Sequence, residues 1–176
     1  MTTTGFASAD FELWGVSGGT AALAPFLIVL VMFVGGCAGS TGGGPKVMRW
    51  MLLVKKAWRE LFLQIHPKAV RPIHFQGQVV SERVMAQVSS FIIIYLTLFT
   101  VGTGNVAPAV YGFDTATTAT ISSLGNIGPG LGAVGPMDNY HHFPPFVKWT
   151  LSLLMIFGRL EVVTLLVILT PEYWRR

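Results

Sequence analysis

Gly35-Gly-Cys-Ala-Gly-Ser-Thr-Gly-Gly-Gly44 closes an apolar run that begins at Ala21 and ends at Val34, and six of its ten residues are glycine. Glycine has the most backbone freedom to lose in a helix, so a transmembrane helix that enters this stretch should unwind there. Unwound backbone inside a bilayer is tolerated only where it is buried in protein or lines a water-filled cavity. The stretch therefore points to a membrane protein with a pore or substrate pathway beside the loop. The alternative is a loop at the membrane surface that leads into a cytoplasmic helix.

Composition favours the bilayer. Of 176 residues, 52% are apolar and 11% charged, against about 25% charged in soluble domains. Cys37 is the only cysteine, so no internal disulfide is expected. Thr2 to Asp10 has neither the basic region nor the apolar core of a signal peptide. The net charge of +4 is no nucleic-acid signal, because the basic residues flank hydrophobic runs, where membrane topology accounts for them. Neither a nucleophile–base pair nor a carboxylate dyad stands out, so an enzyme is not expected. Gly39 and Gly44 have the spacing of a phosphate-binding loop, but Pro45 separates Gly44 from Lys46, and Val47 stands where a hydroxyl is needed.

Outward from the glycine stretch, Ala21 to Val34 is too short to cross a ~30 Å hydrocarbon core as a helix on its own. Pro45 suits the first turn of a new helix, expected over Lys46 to Ile65. Residues 21–65 thus read as one broken helix whose second half leaves the membrane on the basic side. Residues 66–81, with Pro67, Pro72 and Gly77, read as a cytoplasmic linker. Val84 to Thr103 reads as a full span inside a helix that begins at Glu82. Asp114 is the expected N-cap of a half-helix to Leu124, which runs into the glycine-rich Gly125–Gly132 segment. A half-helix ending in such a loop suits a re-entrant pore loop: its C-terminus favours a cation, and loop carbonyls can replace the ion's water. An amphipathic surface helix followed by a turn is the alternative. Residues 146–170 form the last expected span, with Arg159 near its middle. A charge there should face protein or water. Eight of the twelve Lys and Arg lie between Lys46 and Arg83, and Arg175 and Arg176 close the chain, so these regions, the C-terminus included, are expected to be cytoplasmic. His141 and His142, adjacent in an outer loop near Asp138, read as surface residues.

Three blocks resemble a known family: Gly35–Gly44 with Lys46, Asn126-Ile-Gly-Pro-Gly-Leu-Gly132, and Gly158-Arg-Leu-Glu161 followed by Thr170-Pro171. Their order and spacing are similar to the membrane subunit of Trk-type potassium uptake systems (TrkH-like), within the Trk/Ktr/HKT superfamily. The resemblance implies an all-α integral membrane fold of four helix–pore loop–helix repeats around one pore, potassium-channel-like in plan. Residues 1–65 then resemble the end of the third repeat: a filter strand at Thr3, Thr4, Gly5 and Phe6, and an inner helix broken by a gating loop over 35–44. Residues 82–176 resemble the whole fourth repeat, with an outer helix, a pore helix over 114–124, a filter over 125–130 and an inner helix over 146–170. Pro45 departs from the aliphatic residue usual in the family.

On this resemblance Thr3, Thr4, Gly5, Asn126, Ile127 and Gly128 bind potassium through backbone carbonyls, with no cofactor in the chain. Gly35, Gly36, Gly39, Ser40, Thr41, Gly42, Gly43, Gly44 and Arg159 form the gate, Arg159 hydrogen-bonding the loop when it is closed. The family implies a homodimer in the bacterial inner membrane, with a cytoplasmic nucleotide-binding regulatory subunit (TrkA-like) docked on the basic segments of Lys46–Arg83, and with no nucleic-acid partner. The chain reads as a C-terminal fragment that lacks the preceding repeats and cannot close a four-strand filter alone. Two further readings stand beside potassium uptake: a sodium- and potassium-permeable relative, and a non-conducting truncated membrane interaction protein.

Overall fold

The computed structural model of the chain describes residues 3–11, 23–37, 39, 42–110 and 112–159. The described residues form helices α1 (Leu23–Val34), α2 (Lys46–Ile65), α3 (Glu82–Val106), α4 (Phe113–Gly125) and α5 (Pro145–Arg159). Ser40 and Thr41 of the expected gate, and residues 160–170 of the last expected span, lie outside the described residues.

α1 is apolar throughout and has 12 residues, which at ~1.5 Å per residue leaves it short of the bilayer thickness. It stops where Gly35 takes φ +74°. The chain becomes helical again after Pro45, which stands at the N-cap with φ −69° rather than within the first turn, and Lys46 begins the helix at a left-handed φ of 62°. The break is not left with bare carbonyls. Val47 N donates to Gly36 O at 3.0 Å, and Trp50 Nε1 donates to Phe33 O at 3.3 Å. The start of α2 thus takes up acceptors at and just beyond the end of α1.

α2 is amphipathic. Its buried Leu52 packs with Met85 and Val88 of α3 and with Ile73. Polar ties run alongside: Lys56 Nζ donates to Ser89 Oγ at 2.9 Å, and Arg59 pairs with Glu82 and with Glu60. The linker is not all loop, which corrects both the loop reading and a strictly all-α description. His74–Phe75 and Gln78–Val79 form a two-residue antiparallel ladder. Its turn residues Gln76 and Gly77 both have positive φ, the geometry that matches strand twist in tight hairpins.

α3 has 25 residues. Extended by the turn at Ala107–Ala109, it is the described helix long and apolar enough to cross a membrane. It runs past the expected end at Thr103, because one glycine at 104 only weakens a helix, whereas Pro108 has no N–H to continue it. Ser81 caps its start by accepting from Val84 N.

α4 begins before Asp114, so Asp114 is not the N-cap. Gly112 stands there at φ +94° without a side-chain cap bond. Asp114 sits in the first turn, where its charge suits the helix dipole and its carbonyl accepts from Thr118 Oγ1 at 2.7 Å. α1, α3 and α5 all pack on α4, which is buried over most of its length. A helix this rich in Thr and Ser can be buried because its hydroxyls bond back to its own carbonyls, as Thr120 Oγ1 does to Ala116 O at 2.8 Å.

The packing on α4 depends on missing side chains. A Cβ at Gly158 of α5 would lie 1.9 Å from Leu124 O, and one at Gly102 of α3 would lie 2.9 Å from the Thr120 methyl. Small residues that let helix backbones meet are the usual means of association where lipid supplies no hydrophobic drive. Gly158→Val should therefore lower the thermal unfolding midpoint measured in detergent. The overpacking cost is ~1–3 kcal/mol or more, since backbone cannot step aside. Gly104→Val meets nothing within 4 Å and should leave the midpoint within a degree or two. Equal midpoints for the two variants would contradict this packing.

Candidate functional site

The site is built from the C-terminal end of α4 outward. Asn126 leaves the helix in the left-handed conformation, φ 51° and ψ 46°, a common way to end a helix. Its side-chain Nδ2 donates to Met155 O at 3.0 Å and ties the turn to α5. Ile127 N then donates to Ser122 O at 2.9 Å, and Gly128 N to Ser122 Oγ at 3.0 Å. Further on, Gly130 N donates to Val134 O at 2.6 Å, and Leu131 N to Thr118 Oγ1 at 2.9 Å. Asn126 N reaches Ser123 O at 3.1 Å. Since Pro129 has no N–H, every backbone donor from Asn126 to Leu131 is engaged. What the segment has left to offer a ligand is carbonyl oxygen, the group that replaces water around a desolvated cation.

One carbonyl is held by a residue from the loop that precedes α5. Tyr140 Oη donates to Gly128 O at 2.7 Å. Burial raises the Tyr140 phenol above its ordinary value, against a smaller opposite effect of Ser122, so it stays a neutral donor at physiological pH. Tyr140 itself is seated edge-on against Phe143, with ring centroids 5.5 Å apart. His141 and His142 beside it are exposed, and Lys148 Nζ donates to His141 O at 2.7 Å.

The N-terminal stretch lies against this segment. Gly5 has φ +77°, and a Cβ there would fall 1.9 Å from Ile127 O. Only glycine allows both that conformation and that approach. Thr3, Thr4, Gly5, Ile127 and Pro129 border one cavity of about 370 Å³, which also reaches Gly35. The two stretches expected to bind the ion, more than a hundred residues apart in the chain, are therefore neighbours.

The glycine loop meets the same place from another side. Gly35, Gly36, Gly43, Gly44 and Pro45 are buried, Gly42 is half-buried, and Cys37 and Gly39 are exposed. A Cβ at Gly43 would lie 2.7 Å from Gly125 O and 3.0 Å from Asn126 Nδ2. The loop's return arm thus abuts the last residue of α4, immediately before Asn126–Gly128. Arg159 is the last described residue of α5 and is exposed. Its neighbour Gly158 touches Leu124 O, so α5 reaches the same helix end that the loop covers.

Sequence reasoning passed over the groups that hold the 126–131 backbone: Thr118, Ser122 and Tyr140. Ser122-Ser123 at the end of an otherwise buried half-helix was a usable signal, since buried hydroxyls need partners. Tyr140 carried no local sign.

The comparisons with known proteins agree on one family. The family model described as "TrkH: Cation transport protein" matches residues 1–176. The chain is 41% identical over 175 residues to the Trk system potassium uptake protein TrkH of Escherichia coli K12, covering 99% of this chain and 34% of that protein. It is 31% identical to TrkG of the same organism, with the same coverages. A crystal structure of the potassium transporter TrkH from Vibrio parahaemolyticus superposes with a TM-score of 0.84 at 38% identity, over 99% of this chain and 36% of that one. The chain spans about a third of the length of these relatives. Matched by the family over its whole length, the chain belongs to the TrkH family, a family of cation transport proteins rather than enzymes.

Proposed function

We propose that this chain forms part of the ion pathway of a potassium-uptake membrane subunit in a bacterial inner membrane. The observation that carries the reading is the convergence at the end of α4. A backbone segment with all its donors engaged lies against Gly5 on one side, and the glycine loop lies against the residue just before it. In this reading Thr3, Thr4, Gly5, Asn126, Ile127 and Gly128 pass a dehydrated potassium ion between carbonyls, with no bond made or broken. The negative end of the α4 dipole adds to the attraction. The 35–44 loop closes the path below the filter, and Arg159 holds it closed through charge-assisted hydrogen bonds.

The similarity to longer relatives supports the wider reading. Residues 1–65 belong to a third helix–pore loop–helix repeat and 82–176 to a fourth, and preceding repeats complete the pore. The transporter works as a homodimer under a cytoplasmic nucleotide-binding regulatory subunit that docks on the basic Lys46–Arg83 region, with the C-terminus on the same side. The exposed apolar residues of α3 and α5, among them Ile93, Val101, Phe146, Trp149 and Leu153, suit contact with lipid or with those further repeats.

Two expected outcomes test the reading in the complete transporter, assayed by uptake in a potassium-uptake-deficient bacterium. Gly128 has φ +111° but open space around it, whereas a Cβ at Gly132 would strike Thr115 Oγ1 at 2.2 Å. Gly128→Ser, strained at its φ but free of a clash, should lower potassium-over-sodium selectivity per folded molecule, whereas Gly132→Ser, strained and clashing, should cost more of the folded protein. The same selectivity loss per folded molecule in both would count against Asn126–Gly128 as the filter. Arg159→Ala and a deletion within Gly39–Gly43 should each raise potassium flux roughly tenfold, the equivalent of losing one charge-assisted bond. Together they should raise it no further, because both remove the same closure. Additive effects, or unchanged flux, would reject that gate.

A further inference from the structure

We propose that Tyr95 is a positioning residue for the glycine loop: its phenol is the donor that the Gly43–Gly44 backbone takes up when the loop moves off the end of α4. Tyr95 stands in the middle of α3 with 0% exposure. Its hydroxyl has no hydrogen-bond partner among the described residues. The hydroxyl is aimed at the loop, since a Cβ on Gly44 would lie 4.0 Å from it and 3.9 Å from the Gly125 Cα. Buried hydroxyls are nearly always paired, so a lone one at a moving part marks a bond that another arrangement makes.

The phenol is fixed in place. Its ring stacks on Phe91 at 6.4 Å and 19°, one turn back along α3. Phe91 in turn lies under the guanidinium of Arg49, 3.9 Å from the ring centroid. Arg49 is in the first turn of α2, directly after the loop. The stack therefore joins the restart of the broken helix to the Tyr95 hydroxyl beside Gly44. Pro45, which follows Gly44 and is buried, has no N–H to give. The neighbouring loop backbone can thus meet the phenol through its carbonyls, with Tyr95 donating.

The sign of the effect follows. Leaving a buried hydroxyl unpaired disfavours the arrangement described here, relative to one that pairs it, by about tenfold. Tyr95→Phe keeps the ring and its stack and deletes only the donor. It should stabilise the loop against α4 and disfavour the displaced position.

This inference rests on the reading of Gly35–Gly44 as a mobile gate, and its test reads loop position apart from conduction. Cys37 is exposed and is the only cysteine of the chain. A spin label on it, in the complete transporter with other cysteines removed, should report two loop positions. Tyr95→Phe should cut the displaced population about tenfold, without lowering the thermal midpoint, and potassium uptake should fall with it. A reduced displaced population with unchanged uptake upholds the Tyr95 role and rejects the loop as the gate. A single loop position in the unmutated protein, or populations that Tyr95→Phe leaves unchanged or shifts the other way, overturns the inference.

Discussion

The contact between Gly43 and the carbonyl of Gly125 is the constraint on which the rest of the structure depends. Two backbones meet there with no side chain between them: the return arm of an unwound helix and the C-terminus of a buried half-helix. Helix ends present unsatisfied carbonyls and the negative pole of the dipole. Placing such an end inside a packed fold is costly unless something electropositive or donating faces it. In the proposed reading, a cation passing Asn126–Gly128 supplies that positive charge, and the loop against Gly125 controls its exit. Gly43 follows from this need, because a Cβ there would lie 2.7 Å from Gly125 O and force the loop and the helix end apart.

The packing around α4 serves the same end. α5 comes close enough through Gly158 to touch Leu124 O, and α3 through Gly102 to touch Thr120. Asn126 then hooks its amide onto Met155 O. The half-helix is held on three sides, so its terminal segment can be set by Thr118, Ser122 and Tyr140 with little room to drift. Carbonyl oxygens select among ions through the size of the site they form and through their number and field strength, and backbone bracing bears on the first of these. Thr118, Ser122 and Tyr140 brace the 126–131 backbone, while α2 holds the edge of the glycine loop through Gly36 O and the end of α1 through Phe33 O.

Local features of the fold were legible in the sequence where local chemistry decides them. The restart of helix at Lys46 follows from Pro45, and the end of α1 from Gly35-Gly36. Where a feature depends on a balance, reading was less sure. Thr103-Gly104 looked like an end, yet packing carried α3 to Pro108. Asp114 looked like a cap, yet Gly112 made the turn and left Asp114 inside the first turn. The Gln76-Gly77 hairpin signal was hidden among prolines. Contacts between distant segments left no local trace. That Gly132 is pressed on Thr115, that Tyr140 reaches Gly128, and that Tyr95 faces Gly44 are facts of three-dimensional placement. Gly132 is the clearest case: it read only as the end of a glycine-rich segment, whereas a Cβ there would lie 2.2 Å from Thr115 Oγ1.

The central claim is that the backbone stretches at Thr3–Gly5 and Asn126–Gly128 together bind the transported ion. Anomalous diffraction from crystals of the complete transporter grown with thallium(I) or rubidium tests it most directly. The account predicts a peak within coordination distance of carbonyl oxygens from both stretches, on the outer side of the Gly43–Gly125 contact. A peak bound instead by side chains elsewhere, or none in protein that transports the ion, would contradict it.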